Sequence, residues 1–455
     1  MNTVYEENCA NYSLRKNSDS LIPNPKGYGH LPRSVLFRIF SYFKEDELKR
    51  YIIPVCQQWR TVAELPALWK TITFSGKTLK TSFICDKIWQ FNEAEKIIIK
   101  DIMEPVVVLR QICRCSKNLR YLTLRNCPQI NEDSLRNLIF SCVHLEFLDL
   151  KGTPFKALIF YEELASAHNL LSINFSGNPF LTTSNITTII LNCKKLNGFH
   201  LSTFKPVNKI CLNNADCYFI LSHTALRLTS LTLDCSTLCT YSFASILRCK
   251  NLRYLCLNYA YNFDGNDFQH LWKTIKNLTS MKIRFSHQID DMAVKNLFEK
   301  GAKVMRKLEV LDFTGCSKIG DVGITAVAKC CVQLKTLILR SCKKVTSLEL
   351  LLKKCPLLET LNVAFCVDLK LNNSPPVEKM KFLFINDCKN LKLLANLMKK
   401  QNSEVLVRIC ESEYNKNILN FNVNKSVENY LFLKPLTVYI SVYQLHSVDE
   451  LILIR

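Results

Sequence analysis

The sequence predicts an α/β chain: a short helical segment followed by a curved solenoid of strand–helix repeats. Three observations carry the prediction. A pattern of apolar-x-x-apolar-x-apolar-x-x-Cys recurs along most of the 455 residues. The stretches between copies have helical rather than strand spacing. Residues 31–69, ahead of the first strong copies, show helical spacing alone.

The clearest copies are LRYLTLRNC from Leu119, LEVLDFTGC from Leu308, LKTLILRSC from Leu334, LETLNVAFC from Leu358 and MKFLFINDC from Met380. Weaker copies begin at Trp69, Ala94, Leu145, Leu170, Leu196, Leu228, Leu252 and Leu278. Most starts lie 24 to 26 residues apart; the exceptions are 32 after Leu196, 30 after Leu278 and 22 after Leu358. Apolar residues two apart bury one face of a short strand. Behind the strands, Leu135, Leu138, Ile139 and Cys142 stand at i, i+3, i+4, i+7, and so do Ile186, Ile189, Ile190 and Cys193; Ile324, Val327, Ala328 and Cys331; and Leu348, Leu351, Leu352 and Cys355. Neither the strand nor the helix can bury its apolar face alone. Stacked units put strands on the inner curve and helices outside. This is similar to the leucine-rich repeat, and the cysteine after the strand resembles the cysteine-containing subfamily. The resemblance covers residues 69 to about 390.

Residues 31–69 read LPRSVLFRIFSYFKEDELKRYIIPVCQQWRTVAELPALW. Leu36, Ile39, Phe40 and Phe43 form one stripe, Leu48, Tyr51, Ile52 and Val55 a second, and Trp59, Val62 and Ala63 a third. Pro32 suits a helix's first turn, and Pro54 marks a break between the second and third helices. A helical unit of about 40 residues seldom folds without a neighbour or partner. The string resembles the F-box at Leu31-Pro32, Leu36, Ile39-Phe40, Leu48, Val55-Cys56, Trp59, Leu65-Pro66 and Leu68-Trp69. The resulting division is a disordered tail over 1–29, a three-helix F-box over 30–68, a solenoid over 69–390 and irregular repeats or a cap over 391–455.

Composition narrows the function. Only 11 glycines are present, and no P-loop, GxGxxG, GxSxG or HExxH motif occurs, so neither a nucleotide fold nor a catalytic constellation is expected. The first residues are polar and no apolar run is long enough to span a bilayer, so a soluble cytoplasmic or nuclear protein is expected. The 22 cysteines hold no CxxC pair. Those at 127, 316, 342, 366 and 388 share one repeat position, and those at 142, 193, 249, 331 and 355 share another, which predicts small packed side chains and no metal. No cofactor is expected. Net charge is 60 − 39 = +21, with lysines spread evenly, which predicts a solvated surface before a nucleic-acid one.

The resemblance implies the substrate receptor of a Skp–cullin–F-box ubiquitin ligase, a subunit that catalyses nothing itself. Leu31, Pro32, Leu36, Ile39, Phe40, Leu48, Val55 and Trp59 are then expected to dock a Skp-family adaptor, which bridges to cullin and a RING subunit. The target, an unidentified protein, is expected on the inner curve at Tyr121, Arg125, Phe147, Tyr254, Lys282, Arg284 and Arg340. The competing reading is a repeat scaffold with no ubiquitin role, binding protein or nucleic acid. For nucleic acid its signature would be basic and aromatic residues lining one surface together. Asp149 and Asp312 interrupt the bases on the inner curve, which favours a protein target.

Overall fold

Each predicted repeat start is followed, two residues on, by a strand. The computed structural model describes residues 31–157, 159–202, 212–370, 379–388 and 406–408. Among these, thirteen strands match the thirteen starts: β1 Thr71–Ser75, β2 Lys96–Lys100, β3 Tyr121–Arg125, β4 Phe147–Asp149, β5 Ser172–Asn174, β6 Gly198–His200, β7 Ser230–Asp234, β8 Tyr254–Asn258, β9 Ser280–Ile283, β10 Val310–Asp312, β11 Thr336–Ile338, β12 Thr360–Asn362 and β13 Phe382–Phe384. A further strand, β14 Leu406–Arg408, carries the ladder past residue 390. All fourteen lie in one sheet in sequence order, and every pairing is parallel. The repeats thus form a curved leucine-rich-repeat solenoid with its helices behind the sheet. The tail expected over 1–29 lies outside the described residues, as does all of the segment beyond 390 except β14.

The template explains the register. Its first apolar residue packs beneath the turn before the strand, and the next two point inward from the strand itself. Leu119, Leu122 and Leu124 are buried, as are Leu308, Leu311 and Phe313. One continuous core runs from Leu36 to Cys388. The helical stretches form where the spacing placed them, at Glu132–Ser141, Thr183–Asn192, Asp321–Cys330 and Glu349–Lys354.

Two polar ladders join neighbouring repeats. In the first, thiols donate to a carbonyl of the preceding repeat: Cys316 Sγ to Ile283 at 3.2 Å, Cys342 to Phe313 at 3.1 Å, Cys366 to Leu339 at 3.0 Å and Cys388 to Val363 at 2.9 Å. Thr153 stands at the same repeat position, and its hydroxyl donates to Leu124 at 2.7 Å. In the second, the residue that opens one helix caps the start of the next. Glu132 Oε1 accepts from the Ile159 and Phe160 N–H groups at 2.6 and 2.7 Å, and Asn214 Oδ1 accepts from the Cys239 N–H at 2.9 Å.

The N-terminal segment forms α1 Arg33–Phe40, α2 Glu45–Glu47 running into a π-helical turn Leu48–Ile52, and α3 Gln57–Ala63. Pro54 lies in the turn before α3, at the break its ring imposes. This unit is fused to the first repeat. The Trp69 ring stacks on Phe91 at 4.5 Å, its Nε1 donates to Ala63 O at 2.7 Å, and Glu45 Oε1 accepts from the Thr71 N–H at 2.8 Å.

Candidate functional site

The helical stripes of residues 31–69 divide between core and surface. Leu36, Phe40 and Leu48 are buried, so they close the inside of the helical unit and are not exposed on its surface. Trp59 is half-buried, edge-on to Phe40 at 5.3 Å. Leu31 is half-buried, and its carbonyl accepts from Gln58 Nε2 at 3.0 Å. The expected anchors that reach solvent are Pro32, Ile39 (40%) and Val55 (43%). Exposed around them are Val35 (41%) and Tyr42 (81%), outside the stripes read from the sequence, and Tyr51 (60%), a member of the second stripe. Val35, Ile39 and Tyr42 lie at i, i+4, i+7 on the outer face of α1 and its following turn. With Ser34 and Arg38 they line an open groove of about 410 Å³. The missed signal was in the helical phase, since the same helix carries a second stripe rotated away from Leu36 and Phe40.

The inner curve departs further from expectation. Lys282 is wholly buried, and Arg284 and Arg125 nearly so. Each has a place in an inner-face network. Arg125 pairs with Asp149 at 2.6 Å. Arg284 donates from Nε to Asp312 Oδ2 at 2.7 Å and from Nη1 to Asn258 Oδ1 at 3.3 Å. Asn258 Nδ2 in turn donates to Ser202 Oγ at 2.8 Å. The Lys282 ammonium sits 5.4 Å over the Tyr254 ring, on the strand beside Asp312. Buried charges are tolerated only when paired, so removing one member leaves the other stranded. The three cations expected as target anchors are thus held by contacts within the inner face. Tyr121 and Phe147 stack on each other at 4.5 Å and are half-exposed, as are Tyr254 and Arg340.

His200 joins the same face on β6. Its Nδ1 is 2.8 Å from Thr232 Oγ1 and its Nε2 is 3.2 Å from Ser230 Oγ. Burial holds the imidazole neutral, with its pKa lowered to about 4. Burial likewise pushes the repeat thiols up, to about 12 for Cys142, Cys316 and Cys366 and about 11 for Cys388, so they stay protonated and unreactive. Among the described residues, no group of three or more His, Cys, Asp or Glu is placed to hold a metal ion, and no helix is long and apolar enough to cross a membrane.

Two protein families match parts of the chain. An F-box-like family matches residues 28–75, and a leucine-rich-repeat family matches residues 304–328. Among solved structures, the chain is similar to a yeast complex of Rad7 and Elc1, at 12% identity over 94% of this chain and 97% of that one, with a TM-score of 0.46. It is also similar to an internalin from Listeria monocytogenes, at 14% identity over 84% and 98% of the two chains, with a TM-score of 0.35. A Leptospira interrogans leucine-rich-repeat protein matches at 16% identity over 75% and 96%, with a TM-score of 0.31.

Proposed function

We propose that this chain, an F-box-like domain followed by leucine-rich repeats, is the substrate-recognition subunit of a Skp–cullin–F-box ubiquitin ligase. The observation that carries the reading is the two-sided F-box-like unit. Its inner face is closed by Leu36, Phe40 and Leu48, buried in the core with Phe40 edge-on to Trp59. Its outer face still offers Val35, Ile39, Tyr42, Tyr51 and Val55 to solvent. A helical unit this small and this apolar on its free side is suited to a partner. A Skp-family adaptor is the occupant the family match supports, with cullin and a RING subunit reached through it.

The chemistry then belongs to other subunits. Holding a target lysine near a charged ubiquitin carrier turns an encounter between two free molecules into an effectively intramolecular one, and the gain is in local concentration. The solenoid's part is rigidity: a continuous core and two inter-repeat ladders fix the distance between the adaptor face and the target. Affinity purification with mass spectrometry under proteasome inhibition tests the reading. Adaptor, cullin and a ubiquitinated target should be recovered together. A repeat scaffold outside the ubiquitin system would bring down its partner without them.

A further inference from the structure

In most repeats the chain leaves the strand through one residue of positive φ, the region that disfavours a bulky side chain. Small or adaptable residues fill it elsewhere: Asp101 at 57°, Asn126 at 52°, Gly152 at 70°, Gly315 at 73°, Ser341 at 62° and Asp387 at 57°. In three repeats it holds an aromatic ring instead: Tyr259 at 52°, Phe285 at 56° and Phe365 at 64°. Strain of this kind persists where something else is gained from it. Core packing is not that gain, because Phe285 is 37% exposed.

The three rings belong to one ridge along the edge of the sheet. Tyr259 and Phe285 stack at 5.4 Å. The Phe285 ring lies across Gly315, where an added Cβ would meet Cδ1 at 2.4 Å. The Gly315 N–H donates to Arg340 O at 2.8 Å, and the Arg340 guanidinium lies 4.8 Å from the Phe365 centroid. Exposed Lys343 and Lys344 follow directly on the loop that leaves the ridge, and Asp368, the match to Lys344 one repeat on, ends the basic run. Among the described residues, the ion pairs of this region join Arg284 to Asp312, Lys335 to Glu309 and Lys381 to Glu359; they leave Arg340, Lys343 and Lys344 without a carboxylate.

We infer that the ridge of Tyr259, Phe285 and Phe365, with Arg340, Lys343 and Lys344 beside it, docks a short acidic segment of a protein, one that carries apolar or aromatic anchors. Aromatic and arginine side chains are the usual hot spots of protein interfaces, and the unpaired cations call for acidic neighbours. Single-stranded nucleic acid fits less well. Bases need open ring faces. Here Phe285 is covered on one side by Tyr259 and on the other by Gly315, Arg340 covers Phe365, and Tyr261 and His287 stack on each other at 5.2 Å. The inference deepens the receptor reading and rests on it for the identity of the docked protein as a target.

The test is selection of a random peptide library displayed on phage against the full chain, followed by titration of the selected peptides and of a labelled oligothymidylate. Enrichment of acidic peptides with aromatic or aliphatic anchors is expected. Arg340→Glu and Phe365→Asn should each weaken their binding by about tenfold or more. Phe365→Asn should unfold at the same or a higher temperature than wild type, because asparagine tolerates positive φ better than phenylalanine. Enrichment of basic peptides, no enrichment at all, ridge-dependent binding of the oligothymidylate, or binding unchanged by Arg340→Glu would overturn the inference. Adaptor capture, read on the same preparations, should be indifferent to both substitutions, so failure of the ridge and failure of the receptor reading give separate results.

Discussion

The Asp291 carboxylate holds the start of the next repeat's helix, accepting from the Gly320 N–H at 2.7 Å and, through the same Oδ1, from the Gly323 N–H at 2.9 Å. Gly320 is the N-cap of the helix Asp321–Cys330 and has no side chain with which to cap it. The preceding repeat supplies the cap, and Asp321 repeats the arrangement by accepting from the Thr346 and Ser347 N–H groups. Asp291→Ala should therefore cost about 1–2 kcal/mol, the usual worth of a lost cap. Asp291→Asn keeps an acceptor oxygen and should cost less. Denaturant unfolding of the two variants checks the order; equal losses would mean that packing, and not the cap, is what Asp291 provides.

The buried thiols predict a loss of stability in alkali. Their folded pKa values lie above the ordinary 9.0, at about 12 for Cys316 and Cys366. The unfolded chain therefore gives up these protons first as pH rises. Stability is unaffected well below pH 9 and falls between about 9 and 12, by roughly 1.4 kcal/mol per thiol one unit above the unfolded pKa. Unfolding midpoints across that window check the sign. Under native conditions at neutral pH, alkylation should leave Cys316, Cys342 and Cys366 unlabelled while half-buried Cys239 reacts.

His200 predicts a second loss, in acid. Its folded pKa of about 4 lies below the unfolded value near 6.5. Its contribution is whole above pH 6.5 and is lost as pH falls toward 4, because the unfolded chain takes up the proton first. The full loss is on the order of 3 kcal/mol, reached below pH 4. His200→Gln, which can keep a bond to Thr232 or Ser230, should flatten the part of the acid limb between those values. An unchanged limb would move the acid sensitivity to other groups.

The two faces of α1 should answer differently to substitution. Leu36→Ala opens a cavity in the core and should cost about 2–5 kcal/mol. Val35→Asp and Ile39→Asp change an exposed face and should leave stability within about 0.5 kcal/mol of wild type. Thermal unfolding of the single variants distinguishes them.

The repeat was legible in the sequence because its physics is periodic. A strand buries one face through residues two apart and a helix through residues three and four apart, and both periods survive in a single chain. Leu119, Leu308 and Leu358 gave the strand positions without ambiguity. The function of individual inner-face residues was not legible. The period says that Lys282 and Arg284 point to the inner curve. It does not say that Asp312, on the next strand, and Asn258, on the previous one, bind Arg284, or that Lys282 lies over Tyr254. The same limit applies to α1, where one stripe was readable but not which of its members would be buried: Leu36 and Phe40 are, Ile39 is not. Tyr259, Phe285 and Phe365 were visible one residue ahead of the cysteine position, but positive φ is a property of the backbone and left no periodic mark on them.

Calorimetric titration of the full chain with a purified Skp-family adaptor is the sharpest test of the outer face of α1 as the adaptor site. Wild-type chain should bind at a one-to-one ratio. The Val35→Asp, Ile39→Asp double variant should bind roughly a hundredfold or more weakly, the loss expected when two apolar anchors are charged at an interface, with its thermal unfolding unchanged. A folded wild-type chain that does not bind the adaptor, or a double variant that binds as wild type does, would contradict the account.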